Sequence, residues 1–143
     1  MSAGRKKSSG RVTKAEYEAL AAFRYSLRQF LHFSEHAAAS AGLTPRQYQA
    51  LLAIKGFPGR ESATIGELAE QLQIAHHSAV GLVDRLGLHK LVVREPSTND
   101  RRQVYVSLTT RGVEVLEKLA NSHKEELRRF GPRLSSIVNE LNH

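Results

Sequence analysis

Residues 64–86 read TIGELAEQLQIAHHSAVGLVDRL, and their reading decides the fold. Thr64-Ile65-Gly66-Glu67 fits a capping box, with the threonine oxygen accepting a free N–H and the glutamate reaching back three residues. A short helix over about 65–71 follows. Leu72-Gln73-Ile74 is too brief for anything but a turn. Ala75, Ala79, Leu82, Val83 and Leu86 then recur at helical spacing, predicting a second helix from about 75 to 89. Two helices across a tight turn form a helix-turn-helix. On the second helix His76, His77, Val80, Gly81 and Asp84 point outward, with Ser78 and Arg85 near the edges.

Downstream, Leu91-Val92-Val93 and Val104-Tyr105-Val106-Ser107-Leu108 flank EPSTNDRRQVY at 95–105. The second run alternates, with Val104, Val106 and Leu108 on one face. Pro96, Ser97, Asn99 and Asp100 are turn formers, so the pattern predicts a two-stranded hairpin with Arg101 and Arg102 at its tip. Adjacent cations with one acid beside them gain little unless something negative arrives. A hairpin behind a helix-turn-helix makes the motif winged.

Upstream, Thr13 to Glu16 and Thr44-Pro45-Arg46-Gln47 repeat the capping device. They predict a long helix over about 13–40, ended by Gly42, and a second over about 45–55. Beyond the wing a helix is expected over about 110–129, broken by Gly131-Pro132, with a last helix carrying Leu134, Ile137, Val138 and Leu141. The terminal helices are apolar along Leu20, Phe23, Leu27, Phe30 and Leu31, and along Val113, Leu116, Ala120, His123 and Leu127. A symmetric dimer would bury both stripes and present two reading heads. The expected class is mainly α: a winged helix-turn-helix with a two-stranded β wing and long N- and C-terminal dimerisation helices.

At 143 residues the chain is most simply one domain, and its lack of cysteine excludes disulfides, thiolate metal sites and thiol redox switches. No run reaches the length of a membrane span and no leader pattern opens the chain, so a cytoplasmic protein is expected. The net charge of +7 is concentrated. Arg5, Lys6, Lys7, Arg11 and Lys14 precede every acid, and the rest of the chain holds 16 basic against 14 acidic residues, an excess of +2. Residues 1–12 read as a disordered basic tail, and 13–143 as one domain with a reading head over about 43–110 and dimerisation helices over about 13–41 and 110–142.

The segments LTPRQYQALLAIKG (43–56), TIGELAEQLQIAHHSAVGLVDRL and LVVREPSTNDRRQVYVSLTTRG (91–112) together resemble the MarR family of winged helix-turn-helix transcriptional regulators. The Asp-x-Arg pattern at the wing and the Leu-Thr-Thr-x-Gly that opens the following helix carry most of the likeness. The resemblance implies a homodimeric regulator, most simply a repressor, that binds a pseudo-palindromic double-stranded operator. It places the wing arginine at Arg102, with Asp100 as its orienting partner and Arg101 between them. An arginine on a protruding hairpin suits a narrow, strongly negative minor groove. His76, His77 and Ser78 occupy the first turn of the recognition helix, where side chains and N–H groups meet bases and phosphates. With Gly81, Arg85, Arg101 and Arg102 they make the expected DNA-binding set. Gly81 stands where the family often carries a longer side chain.

The family also implies relief by a small aromatic or anionic effector, for which Phe23, Arg24, Tyr25, Arg28 and Tyr48 are candidates; aromatics at such spacing are more often core. His32 and His36 lie one turn apart without an evident third ligand, so no metal and no cofactor is expected. Nothing resembles a nucleophile elbow or a phosphate-cradling glycine loop, which argues against an enzyme. The rival readings are a winged-helix protein-interaction module and a metal-responsive regulator.

Overall fold

The computed structural model describes residues 10–100 and 102–142. The basic tail through residue 9 and the wing residue Arg101 lie outside the described residues. In chain order come α1 (Lys14–Ser40), α2 (Pro45–Lys55), β1 (Ser62–Thr64), α3 (Ile65–Leu72), α4 (His76–Leu88), β2 (Val92–Pro96), β3 (Val104–Leu108) and α5 (Thr110–Leu141). No helix among the described residues is long and apolar enough to cross a membrane.

All three capping boxes form. Thr13 Oγ1 accepts the Glu16 N–H at 3.1 Å, Thr44 Oγ1 that of Gln47 at 3.1 Å, and Thr64 Oγ1 that of Glu67 at 3.1 Å. Each acid or amide accepts in return from its threonine's own N–H at 2.9–3.0 Å. A cap of this kind is worth about 1 kcal/mol, enough to fix where a short helix such as α3 starts.

The sheet has three strands rather than the expected two, in the order β1-β3-β2, all antiparallel. Ala63 of β1 pairs with Val106 and Arg94 of β2 pairs with the same residue from the other side. Three residues are too few to display alternation, and Thr64 is also the cap of α3, which masks β1 in the sequence. β2 continues through Arg94, Glu95 and Pro96 before the chain turns. Pro96 is tolerated because it ends an edge strand, where a missing donor breaks no ladder.

The second departure is at the C-terminus. Gly131-Pro132 does not break the helix; α5 runs unbroken through Pro132. Burial explains it: His123, Glu126, Phe130, Leu134 and Ile137 are covered or half-covered, at steps of three and four that keep phase across the proline, which is itself exposed. Continuous packing of that stripe outweighs the lost hydrogen bond.

The described chain divides into two compact units, one comprising the residues up to Ser34 together with those from His123, the other Glu35–Ser122. In the first, Phe30 stacks on Phe130 with centroids 5.7 Å apart, and the buried His123 presents its edge to Phe30 and Phe33 while its Nε2 lies 2.9 Å from Ser34 Oγ. The second holds the helix-turn-helix and the wing, the segment expected to be the reading head. Leu51, Ile54, Leu68, Val83, Leu86 and Val106 form its fully buried centre, bringing α2, α3, α4 and β3 onto one core.

Candidate nucleic-acid interface

α3 ends at Gln73, whose backbone is left-handed (φ 56°, ψ 48°) and whose N–H returns to Ala69 and Glu70 carbonyls. That single reversal launches α4 across α3. Ala79, Leu82, Val83 and Leu86 go into the core, which leaves His76, His77, Asp84 and Arg85 exposed and Ser78, Val80 and Gly81 partly exposed. The outward set read from periodicity is outward in space, with Val80 and Gly81 half-covered; Ala75, placed on the buried side by the same reading, is exposed because it is the N-cap that precedes the helix. Ala75 caps α4 without a side-chain hydrogen bond, so the first-turn N–H groups meet no side-chain acceptor of their own. A positive helix end of that kind favours an approaching anion.

At Gly81 a β-carbon would stand 3.8 Å from both terminal nitrogens of Arg85, an ordinary contact. Nothing inside the chain forbids a side chain there. The glycine opens the middle of the outward face and leaves the Arg85 guanidinium beside it.

The wing tip is tied by short-range bonds. Ser97 Oγ accepts the N–H groups of Asn99 and Asp100 at 3.1 and 3.2 Å, and Gln103 N–H donates to the Asp100 carbonyl at 3.0 Å. Asp100 Oδ1 accepts the Arg102 N–H at 3.0 Å and lies 3.6 Å from Arg102 Nε. Asp100 and Arg102, expected to be partners, are thus in contact. The Arg102 side chain is 92% exposed, so the ion pair restrains it without occupying it.

Sequence reasoning missed two cations. Arg94, on β2, donates from Nη2 to Asp84 Oδ1 at 2.7 Å and joins the wing to the recognition helix. Arg60, in the loop before β1, lies over Phe57 at 4.4 Å and over Tyr105 of β3 at 5.0 Å. Its Nη2 reaches Glu67 Oε2 at 2.5 Å. That hydrogen bond, with a weaker contribution from the Thr64 N–H, holds the Glu67 carboxyl below its ordinary range and raises the Arg60 pKa in turn. Neither pairing has a local spacing signature: Asp84 and Arg94 are joined across the end of α4 and the turn into β2, and Arg60 and Glu67 across β1.

The effector candidates are not brought together within either unit. Phe23 is half-buried and Arg24, Tyr25 and Arg28 are exposed, all on the part of α1 in the first unit. Tyr48 is a core residue of the reading head, and burial raises its pKa. Among the described residues no group of three His, Asp or Glu side chains could hold a metal ion.

Residues 41–103 match the model of the MarR family. The chain is 29% identical over 112 residues, 78% of its length, to a Thauera aromatica protein named as a transcriptional regulatory protein for the hcr operon. It is 29% identical over 89 residues, 62% of its length, to the HTH-type transcriptional repressor MdtR of Bacillus subtilis. These stretches span 66% and 56% of the two relatives' own lengths. Among solved structures, AbsC, a MarR family transcriptional regulator from Streptomyces coelicolor, superposes with a TM-score of 0.72 at 25% identity, covering 92% of this chain and 90% of that one. Family match, regulatory relatives and shared fold agree: over residues 41–103 the chain is similar to the MarR family, and its fold is that of a MarR family regulator.

Proposed function

We propose that the protein is a sequence-specific, double-stranded-DNA-binding transcriptional regulator that works as a homodimeric repressor in the cytoplasm and has no enzymatic step. One observation carries the reading: a recognition helix with His76, His77, Ser78, Gly81 and Arg85 on its open side stands in the same folded unit as a wing whose Arg102 is extended into solvent. A helix of this kind fits a major groove, and a projecting guanidinium fits the flanking minor groove. Arg101 belongs to the same proposed contact. Homology to regulators and to a named repressor supports the direction of control.

Dimerisation rests on apolar surface left open along α1, where Tyr17, Leu20, Leu27 and Leu31 share a face and are each at least 40% exposed, and on Leu127 and Val138 of α5. A second copy would cover it and pair two reading heads over a pseudo-palindromic operator. A small aromatic or anionic effector would shift the dimer between head spacings. Arg24 and Arg28, one turn apart and without ion-pair partners among the described residues, with Phe23 and Tyr25 beside them, suit a carboxylate. Tyr48 would enter only by leaving the core.

The test is selection of bound genomic fragments followed by titration of the recovered duplex at several salt concentrations. A two-fold site and binding that weakens steeply with salt are expected. Indifference to duplex DNA at low salt, or salt-insensitive capture of a protein instead, rejects the reading. Leu20→Glu combined with Leu27→Glu should yield monomers by sedimentation and lose operator affinity.

A further inference from the structure

A cleft of about 470 Å³ opens in the reading head between the start of α2 and the side of α4. Thr44, Arg46, Gln47 and Gln49 line one wall, and Leu82 and Arg85 the other. Two guanidiniums and no carboxylate face this space. Elsewhere in the head Lys55 pairs with Glu61, Arg60 with Glu67, Arg94 with Asp84 and Arg102 with Asp100, while Lys90, Arg111 and Lys118 are in no ion pair among the described residues; it is the sharing of one cleft that sets Arg46 and Arg85 apart. Among the described residues Arg46 and Arg85 belong to no ion pair, although both are exposed.

Gln47 supplies the second observation. It is 7% exposed, and its Oε1 is engaged by the Thr44 N–H at 3.0 Å. Its Nε2 donates to no group among the described residues and keeps contact with solvent, so it is free to donate to an acceptor in the cleft that Gln47 lines. Most of the helix end is already satisfied: Thr44 Oγ1 accepts the Gln47 N–H, the Thr44 carbonyl accepts that of Tyr48, and Pro45 has none. The donors that the cleft adds are side chains.

Forked guanidinium donors beside an amide match the several acceptor oxygens of a tetrahedral anion. One wall of the cleft is the edge of the helix proposed to enter a major groove, and the groove's own phosphates lie along that edge. We infer that Arg46, Gln47 and Arg85 together seat one backbone phosphate of the operator and thereby set the depth and angle at which α4 enters the groove. This rests on the DNA-binding reading above and adds Arg46 and Gln47 to it.

The full-length chain is titrated with operator duplex at several salt concentrations as wild type, Arg46→Ala and Gln47→Glu. Glutamate at position 47 keeps the oxygen that the capping box needs, so its melting temperature should match the wild type, but it replaces the donor by a negative charge. Gln47→Glu should weaken binding roughly tenfold. Arg46→Ala, a change at an exposed site, should lower the salt slope by about one phosphate. A duplex carrying one neutral methylphosphonate at the seated position should weaken the wild type and leave Gln47→Glu no weaker than before. Wild-type protein that ignores duplex DNA removes the regulator reading itself. Wild-type binding with equal affinity and slope in both variants overturns the phosphate seat alone. Stabilisation by inorganic phosphate that both variants lose, with duplex binding unchanged, assigns the cleft to a free anion and also overturns it.

Discussion

Arg94 and Asp84 join the wing to the recognition helix through one hydrogen-bonded ion pair of 2.7 Å, with both side chains about half exposed. At that exposure the pair is worth less than about 1 kcal/mol, so its consequence lies in placement rather than in stability. It keeps Arg94 directed at a carboxylate on the outward face of α4.

Asp84→Asn should free that guanidinium and remove a negative charge from the face presented to DNA. Duplex affinity should rise, with a salt slope steeper by about one phosphate and a nearly unchanged melting temperature. An unaltered slope would show that Arg94 lies out of reach of the backbone.

At the wing tip the same logic separates two roles of Asp100. Its Oδ1 accepts the Arg102 N–H and also restrains the guanidinium. Asp100→Asn retains an oxygen for the backbone bond, whereas Asp100→Ala retains neither. Binding should fall further for alanine than for asparagine, and Arg102→Ala should fall with a slope lower by about one phosphate. Equal behaviour of the two Asp100 variants would refute the backbone role.

Gly81 has room for a methyl group beside Arg85. Gly81→Ala should therefore raise stability by about 1 kcal/mol, from helix propensity alone. If the open face is kept for close approach of DNA, the same variant should bind operator more weakly. A thermal melt and a titration on one preparation decide it; gain in both would sink the close-approach account.

Gly112 is the opposite case. A β-carbon there would stand 2.2 Å from the Leu91 carbonyl oxygen, which already accepts the Thr109 N–H at 3.0 Å. Thr109 Oγ1 also donates to the Lys90 carbonyl at 2.7 Å and accepts the Gly112 N–H at 3.0 Å. Gly112→Ala should cost at least about 1–3 kcal/mol, because backbone must move. Chemical denaturation measures it, and a neutral result would contradict the packing.

Glu67 gives a pH signature. Its pKa is lowered in the fold, chiefly by the Arg60 hydrogen bond. A depressed carboxyl contributes stability above its unfolded value, near the ordinary 4.5, and loses it as pH falls through the lower folded value. Glu67→Gln keeps the capping oxygen but not the charge. The stability gap between wild type and variant should be constant above about pH 5 and close on acidification below about pH 4. A gap that persists at acid pH would assign the loss to something other than the ion pair.

Much of the reading head was legible because its signals are local. Capping boxes span four residues, the α4 face repeats every three or four, and the Asp-x-Arg wing sits between two apolar runs. The wing's third strand was not legible, because β1 is three residues long and becomes a strand only by pairing with β3. Pro132 misled for a related reason: proline's local penalty is visible in sequence, while the packed stripe that outweighs it is not.

The sequence alone determined where helices begin, which face of α4 is outward and where the wing arginine lies, since each depends on neighbours within a turn or two along the chain. Tertiary structure decided which charges are matched. Asp84 found Arg94, Arg60 settled between Phe57, Tyr105 and Glu67, and Arg46 and Arg85 were left facing one cleft without a partner. Coulombic and hydrogen-bond partners are chosen by distance in space, and folding sets that distance without regard to separation along the chain.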